Sequence, residues 1–217
     1  ISWRSTEWVM ANAREVSECR LCGGALGEPV LSLGAQPISN RLPKAGENPP
    51  RLAVYPLDIV LCGECGLPQL AHNLDASEHF HDDYTYLSGA SSNWVAHCRS
   101  YAERLTCAHG ITEHDFVVEA GSNDGTLLKA LSARGVRGLG IEPSGNVAAI
   151  ARRNGADTLT AFLDADTARR IRSDYGVPRA LVGNNVLAHV PATHGFLCAA
   201  RDLVADEGFL CFEFPHF

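Results

Sequence analysis

The sequence predicts an α/β chain in two parts: a small cysteine-stapled module, then an open, largely parallel sheet covered by helices on both faces. Three observations carry that expectation. Two Cys-x-x-Cys-Gly knuckles stand at residues 19–23 and 62–66. Beyond residue 74, short apolar runs alternate with segments of helical spacing, the pattern of βα units. Several of those runs end in polar or glycine-rich text, where sheets of this class meet their ligands.

Composition narrows the class of partner. The chain has 217 residues, enough for one small domain and one ordinary one. At 46% hydrophobic and 20% charged, it can fold by ordinary apolar burial. A formal charge of −7 without any basic run argues against nucleic acid, whose phosphates draw on clustered Lys and Arg. No apolar stretch reaches the roughly 18 residues that span a bilayer, and no secretion core is visible, so a cytoplasmic protein is expected. Met10 is the single methionine and reads as the natural start, with residues 1–9 upstream of it. The expected division is an extension at 1–17, a four-cysteine domain at 18–74 and a sheet domain at 75–217.

The knuckles come first. Of eight cysteines, Cys19, Cys22, Cys62 and Cys65 form the two pairs. Two intervening residues let both thiolates of a tight turn face one ion, and the following glycine turns the chain away. Four sulfurs make the closed tetrahedral set of a structural Zn2+ site, with no open position for water or substrate. Without a signal peptide, that distribution favours metal over disulfides. The gap between the pairs exceeds the usual spacing of roughly 15–20 residues, so the insert must fold over the site. Within it, 29–34 and 52–61 read as strands, with turn text at 36–43 and 48–50 between them. Cys98, Cys107, Cys198 and Cys211 read as small buried hydrophobes.

The sheet domain follows in order. A polar, aromatic loop at 81–92 leads into a helix over 93–105. Then come a strand at 116–120, a tight turn at 121–125 and a helix from Thr126. A second strand at 138–142 and a helix at 146–153 precede later strands at 180–186 and 208–214. In the turn Glu119-x-Gly121-x-Asn123-x-Gly125, Gly121 lets the chain bend and Gly125 lets the next helix start close to a ligand. The turn is acidic where a pyrophosphate would want amides and positive potential, so a sulfonium cofactor bearing an amino group suits it better. Glu142, at the next strand's tip, is placed to accept both hydroxyls of a ribose.

These segments resemble the sugar C-methyltransferases of antibiotic biosynthesis, specifically those acting at C3 of nucleotide-linked 4-keto hexoses. The resemblance rests on Leu33-Gly-Ala-Gln-Pro-Ile-Ser-Asn40, Tyr84-Thr-Tyr-Leu-Ser-Gly89 and Val118-Glu-Ala-Gly-Ser-Asn-Asp-Gly125. Gly140-Ile-Glu-Pro-Ser144, Asn184-Asn-Val-Leu-Ala-His-Val190 and Glu213-Phe-Pro-His216 extend it over nearly everything after residue 17. It implies a Rossmann-like methyltransferase sheet, S-adenosylmethionine as donor, structural zinc and a nucleotide-sugar substrate. The substrate's C3 proton is lost, the adjacent ketone holds the charge, and the carbon attacks the donor's methyl group. By resemblance Tyr84 and His189 are catalytic. Glu119, Gly121, Asn123, Gly125, Glu142, Phe162 and Asn184 are expected at the cofactor, with Phe162 against the adenine or else in the core. His216 aligns with a strand end rather than with the base.

Members of that family continue with a Tyr-x-Glu-His segment and a third domain. This chain therefore reads as the front portion of such an enzyme, incomplete at the sheet's last strands, expected to be monomeric and to bind zinc and donor without turnover. Two other readings stay open: a methyltransferase of another small substrate, and a non-catalytic zinc- and cofactor-binding module.

Overall fold

A computed structural model describes residues 8–11, 13–40, 52–75, 80 and 83–215. The expected turn at 48–50, the start of the loop at 81–82 and His216 lie outside those residues. The chain forms two compact units, Ile1–His79 and Phe80–Phe217.

In the first unit, strands β1 (Trp8–Met10), β2 (Arg14–Glu15), β3 (Leu31–Pro37), β4 (Leu52–Leu61), β5 (Pro68–Leu70) and β6 (His72–Asn73) are described. The long β4 organises them. It pairs antiparallel with β3, parallel with β1 and antiparallel with β5. A register shift between Ser32 and Ala35 marks an irregularity in β3, beside Gly34 with φ 68. β2 and β6 form a separate antiparallel pair. Residues 1–17, expected as an extension, thus contribute two strands.

The second unit opens with helix α1 (Ser92–His109), longer than the expected 93–105 at both ends. Ser91 Oγ accepts the Trp94 N–H at 3.3 Å, and Gly110 in the left-handed region closes the helix. Then follow β7 (Phe116–Ala120), α2 (Thr126–Ser132), β8 (Arg137–Ile141), α3 (Gly145–Arg153), β9 (Thr158–Leu159), α4 (Ala165–Asp174), β10 (Ala180–Asn184), α5 (Thr193–Leu203) and β11 (Phe209–Glu213). The strands form one parallel sheet in the order β11-β10-β7-β8-β9.

Strand alternation sends successive side chains to opposite layers. Val118, Ala120, Leu139, Ile141 and Leu181 pack on Ala168 and Ile171 of α4 and on Phe196, Ala199 and Leu203 of α5. Val117, Ala180 and Val182 face Cys98, Tyr101 and Leu105 of α1 and Leu127 and Leu131 of α2. The fold is therefore the three-layered, Rossmann-like α/β sheet that the βα alternation implied. The chain enters the sheet at β7, fills one side through β8 and β9, then crosses to β10 and β11. The order reverses between β7 and β10, and a crevice at that switch point is where open sheets bind ligands.

Candidate functional site

The two knuckles fold alike on local backbone bonds. Gly23 N–H donates to the Cys19 carbonyl at 2.9 Å, and Gly66 N–H to that of Cys62 at 3.0 Å. Both glycines have φ 74, a backbone that side chains rarely adopt. The four sulfurs converge within 4.8 Å of one another, with Cys19–Cys65 at 3.6 Å and Cys22–Cys62 at 3.5 Å. A tetrahedron with zinc–sulfur bonds of about 2.3 Å sets sulfurs about 3.8 Å apart, so the cluster fits that ion closely. The Cys65 backbone amide draws the Cys62 thiol down to about 6. At Cys22 the Gly24 amide pulls downward, but the neighbouring thiols prevail and push it up to about 12. Without a cation, the four cannot all ionise together.

In the second unit, the polar residues gather at the carboxyl ends of β7, β8 and β10. Gly121 (φ 66) and Ser122 both donate backbone N–H to the Ile141 carbonyl, at 2.8 and 3.1 Å. The turn is thereby tied to β8. At Gly125 (φ 81) a Cβ would stand 2.5 Å from Ala156 Cβ, so only glycine allows α2 to start there. Asn123 has φ 51, which asparagine tolerates better than most residues.

Glu142 is 4% exposed and accepts one backbone amide on each oxygen, from Asn123 at 2.9 Å and Ser144 at 2.8 Å. Burial raises its pKa, partly offset by those amides. The predicted ribose ligand is thus also the clasp between the glycine turn and the entrance to α3. Each oxygen has a further lone pair for another donor. Asn123 in turn holds the preceding loop: its Oδ1 accepts Ser88 N–H at 2.8 Å and its Nδ2 donates to the Tyr86 carbonyl at 3.1 Å.

Glu119 differs sharply. It is 5% exposed, on the α1 face of β7, and its Oε2 has no hydrogen-bond partner among the described residues. Burial, followed by the charges of Glu142 and Asp124, holds its pKa well above the glutamate range. Across the switch point, Asn184 ends β10 with both Oδ1 and Nδ2 buried and unpartnered among the described residues. Buried polar groups left this way cost about 1–3 kcal/mol each unless a ligand, water or ion meets them.

Tyr84 and Phe162 come together around Phe80, with ring centroids at 5.7 and 6.4 Å from it. Asn146 Nδ2 donates to the Tyr84 carbonyl at 2.9 Å, fixing the loop to α3. Phe162 is 44% exposed, while Ala161 and Leu163 on either side pack on the core. That resolves the alternative for Phe162 against the core. His189 closes a 3-10 turn, Leu187–His189; the residue is exposed, yet neighbouring atoms desolvate its ring enough to draw its pKa below the ordinary histidine range.

Residues the sequence did not single out are Ser88, Asp124 and Ser144. Asp124 accepts Gly89 N–H at 2.8 Å and Thr126 Oγ1–H at 2.6 Å. Ser and Asp within a glycine-rich turn carry no distinguishing signal until the loop that they bind is in place.

Residues 19–80, which span both knuckles, match the family described as "Putative zinc binding domain". Geometry and match agree, and the cluster is a structural zinc site. Across 203 residues, 94% of the chain, it is 30% identical to the C-methyltransferase NovU of Streptomyces niveus. The chain is a relative of the NovU-like C-methyltransferases. It spans about half of that relative, 48% of its length. Among solved structures, CalS10 with bound S-adenosylmethionine, an amino pentose methyltransferase of Micromonospora echinaspora, is 19% identical at TM-score 0.48, covering 59% of this chain and 54% of that one. The magnesium protoporphyrin IX methyltransferase of Synechocystis PCC 6803 is 17% identical at TM-score 0.42, covering 51% and 54%. No helix among the described residues is long and apolar enough to cross a membrane.

Proposed function

We propose that the second unit holds S-adenosylmethionine and serves methyl transfer to carbon on a small, nucleotide-linked 4-keto deoxysugar. The observation that carries this reading is the buried Glu119 carboxyl at the switch point, whose Oε2 has no partner among the described residues, with the Asn184 amide on the neighbouring strand likewise unpartnered among them. A buried acid without a partner is stabilised by a cationic ligand, and this cofactor brings an ammonium and a sulfonium. Glu142 offers its remaining lone pairs to the ribose hydroxyls, and Gly121 and Gly125 keep the turn open. Phe162, exposed beside Phe80 and Tyr84, gives the adenine an aromatic face.

When bound, the cofactor supplies a methyl group on a positively charged sulfur. The chain's own task is to place the acceptor carbon in line with it and to exclude water. Tyr84 donates to the developing enolate oxygen, and His189 follows β10 on the 3-10 turn Leu187–His189. Kinship with a C-methyltransferase supports carbon as the acceptor, and the sugar class follows from the motif resemblance. Zinc stays outside the chemistry, because four cysteines close its coordination shell.

Calorimetry with S-adenosylhomocysteine tests the reading. The chain should bind one equivalent, and Gly121→Val should abolish it, since a side chain there is strained at φ 66 and meets Val186 at 3.2 Å. No binding by the unaltered chain would leave a zinc module with a degenerate sheet and sink the proposal.

A further inference from the structure

One pair of titratable residues at the ligand edge of the sheet has no place in the site above. His97 lies on α1 and Glu213 ends β11, 116 residues apart in sequence. Four residues of helix, from Tyr101 back to His97, advance about 6 Å. Two residues of strand, from Cys211 to Glu213, advance about 6.7 Å. The two steps match, so the contacts form a ladder. Tyr101 Oη donates to Cys211 Sγ at 3.0 Å, and the His97 Nε2 meets the Glu213 carboxylate, 2.9 Å from Oε1 and 3.0 Å from Oε2.

The ring is held on both sides. Trp94 stacks on it at 4.9 Å between centroids and 28° between planes, and Tyr101 at 6.3 Å and 24°. A carboxylate only accepts, so in the neutral tautomer that donates to Glu213 the proton sits on Nε2 and Nδ1 is left as an acceptor. His97 and Glu213 side chains remain 32% and 35% exposed. Glu213 pairs in register with Asn184, whose amide has no partner among the described residues. A fixed acceptor, accessible and one strand from a free donor–acceptor group, is how a protein grips a polyhydroxylated molecule.

We propose that His97, its tautomer fixed by Glu213, binds the acceptor substrate: Nδ1 accepts a hydrogen bond from a hydroxyl or amino group of the sugar. This rests on the methyltransferase reading. It adds a specificity-determining residue contributed by a helix outside the βα units of the sheet.

The competing role is a structural tie between α1 and β11, and two substitutions separate the roles. A glutamine amide reaches the Nε2 position, keeps the bond to Glu213 and removes Nδ1. An asparagine amide reaches the Nδ1 position, keeps an acceptor there and loses Glu213. Titration of the S-adenosylhomocysteine-loaded chain with thymidine-diphosphate 4-keto-6-deoxyglucose should show about tenfold weaker binding for H97Q and about threefold or less for H97N. Both variants should bind S-adenosylhomocysteine as the unaltered chain does. The reverse ranking, or a loaded unaltered chain that ignores the sugar nucleotide, overturns the inference alone. Failure to bind S-adenosylhomocysteine overturns the methyltransferase reading and this one with it. Long-range nitrogen–proton NMR of the ligand-free chain gives a check independent of the variants: the proton belongs on Nε2, and an Nδ1–H tautomer refutes the proposal.

Discussion

The two units are stabilised by different physics. In the first, β3 is exposed along its whole length, and the buried described residues are few, among them Val54, Val60, Ala71, Cys19 and Cys62. In the second, both faces of a parallel sheet are sealed by helices, with Val117, Val118, Leu139, Leu181 and Leu203 essentially inaccessible. About 50 residues cannot bury enough apolar surface to offset their chain entropy, and four metal–sulfur bonds make up the deficit. The larger unit needs no such staple. Cohesion in one is concentrated in a single ion, and in the other it is spread over dozens of side chains.

The strongest way to break that contrast is to strip the metal. Chelation, or Cys62→Ser, should cost most of the roughly 10–16 kcal/mol that structural zinc contributes in small modules. Limited proteolysis should then cut within residues 1–79 and spare 80–217. Leu181→Ala should do the opposite, lowering the unfolding free energy of the second unit by about 2–5 kcal/mol in denaturant titration while zinc content, read by mass spectrometry, stays unchanged. Joint loss of both units under chelation would show that the division is not energetic.

A second test sharpens the contrast within the sheet unit, where the buried acid Glu119 opposes the core. Burial raises the pKa of Glu119 above the ordinary 4.5, so the folded chain keeps a proton that the unfolded chain has released. Its stability is then full below that ordinary value and falls as pH rises toward the folded-state value. Glu119→Gln should remove this decline and make the ligand-free chain about 1–3 kcal/mol more stable at about pH 8, measured by urea unfolding at about pH 5 and about pH 8. Equal slopes for both proteins would contradict the assignment. The smallest effect belongs to the surface. Arg169→Ala, which breaks the exposed ion pair with Asp166 on α4, should change stability by less than about 0.5 kcal/mol in the same assay.

Local chemistry was legible in the sequence where the signal lies within a few residues. The knuckles are set by Cys-x-x-Cys-Gly, and strand β4 was read with its bounds because ten mostly apolar residues run together. Strand β9 escaped notice because two residues hold no period, and α4 because its apolar positions, Ala168 and Ile171, are sparse among charges. Helix α5 was also missed, with Gly195 interrupting its text. At the site, Glu119, Gly121, Asn123, Gly125 and Glu142 were visible as a turn and a strand end. That Glu142 would spend a lone pair of each oxygen on backbone amides was not, because it depends on the left-handed turn at Asn123. The pairing of His97 with Glu213 needs the whole sheet register.

The spacing of the zinc ligands also bears on how fast the metal exchanges. Each knuckle closes on its own hydrogen bonds, but Cys22 and Cys62 are separated by 40 positions. Either pair alone offers an ion only half of a closed ligand set, and the antiparallel pairing of β3 with β4 lies between the two halves. Metal exchange is therefore expected to be faster from a module whose halves are apart than from one in which all four sulfurs have met. Exchange rates would report on whether that pairing has formed.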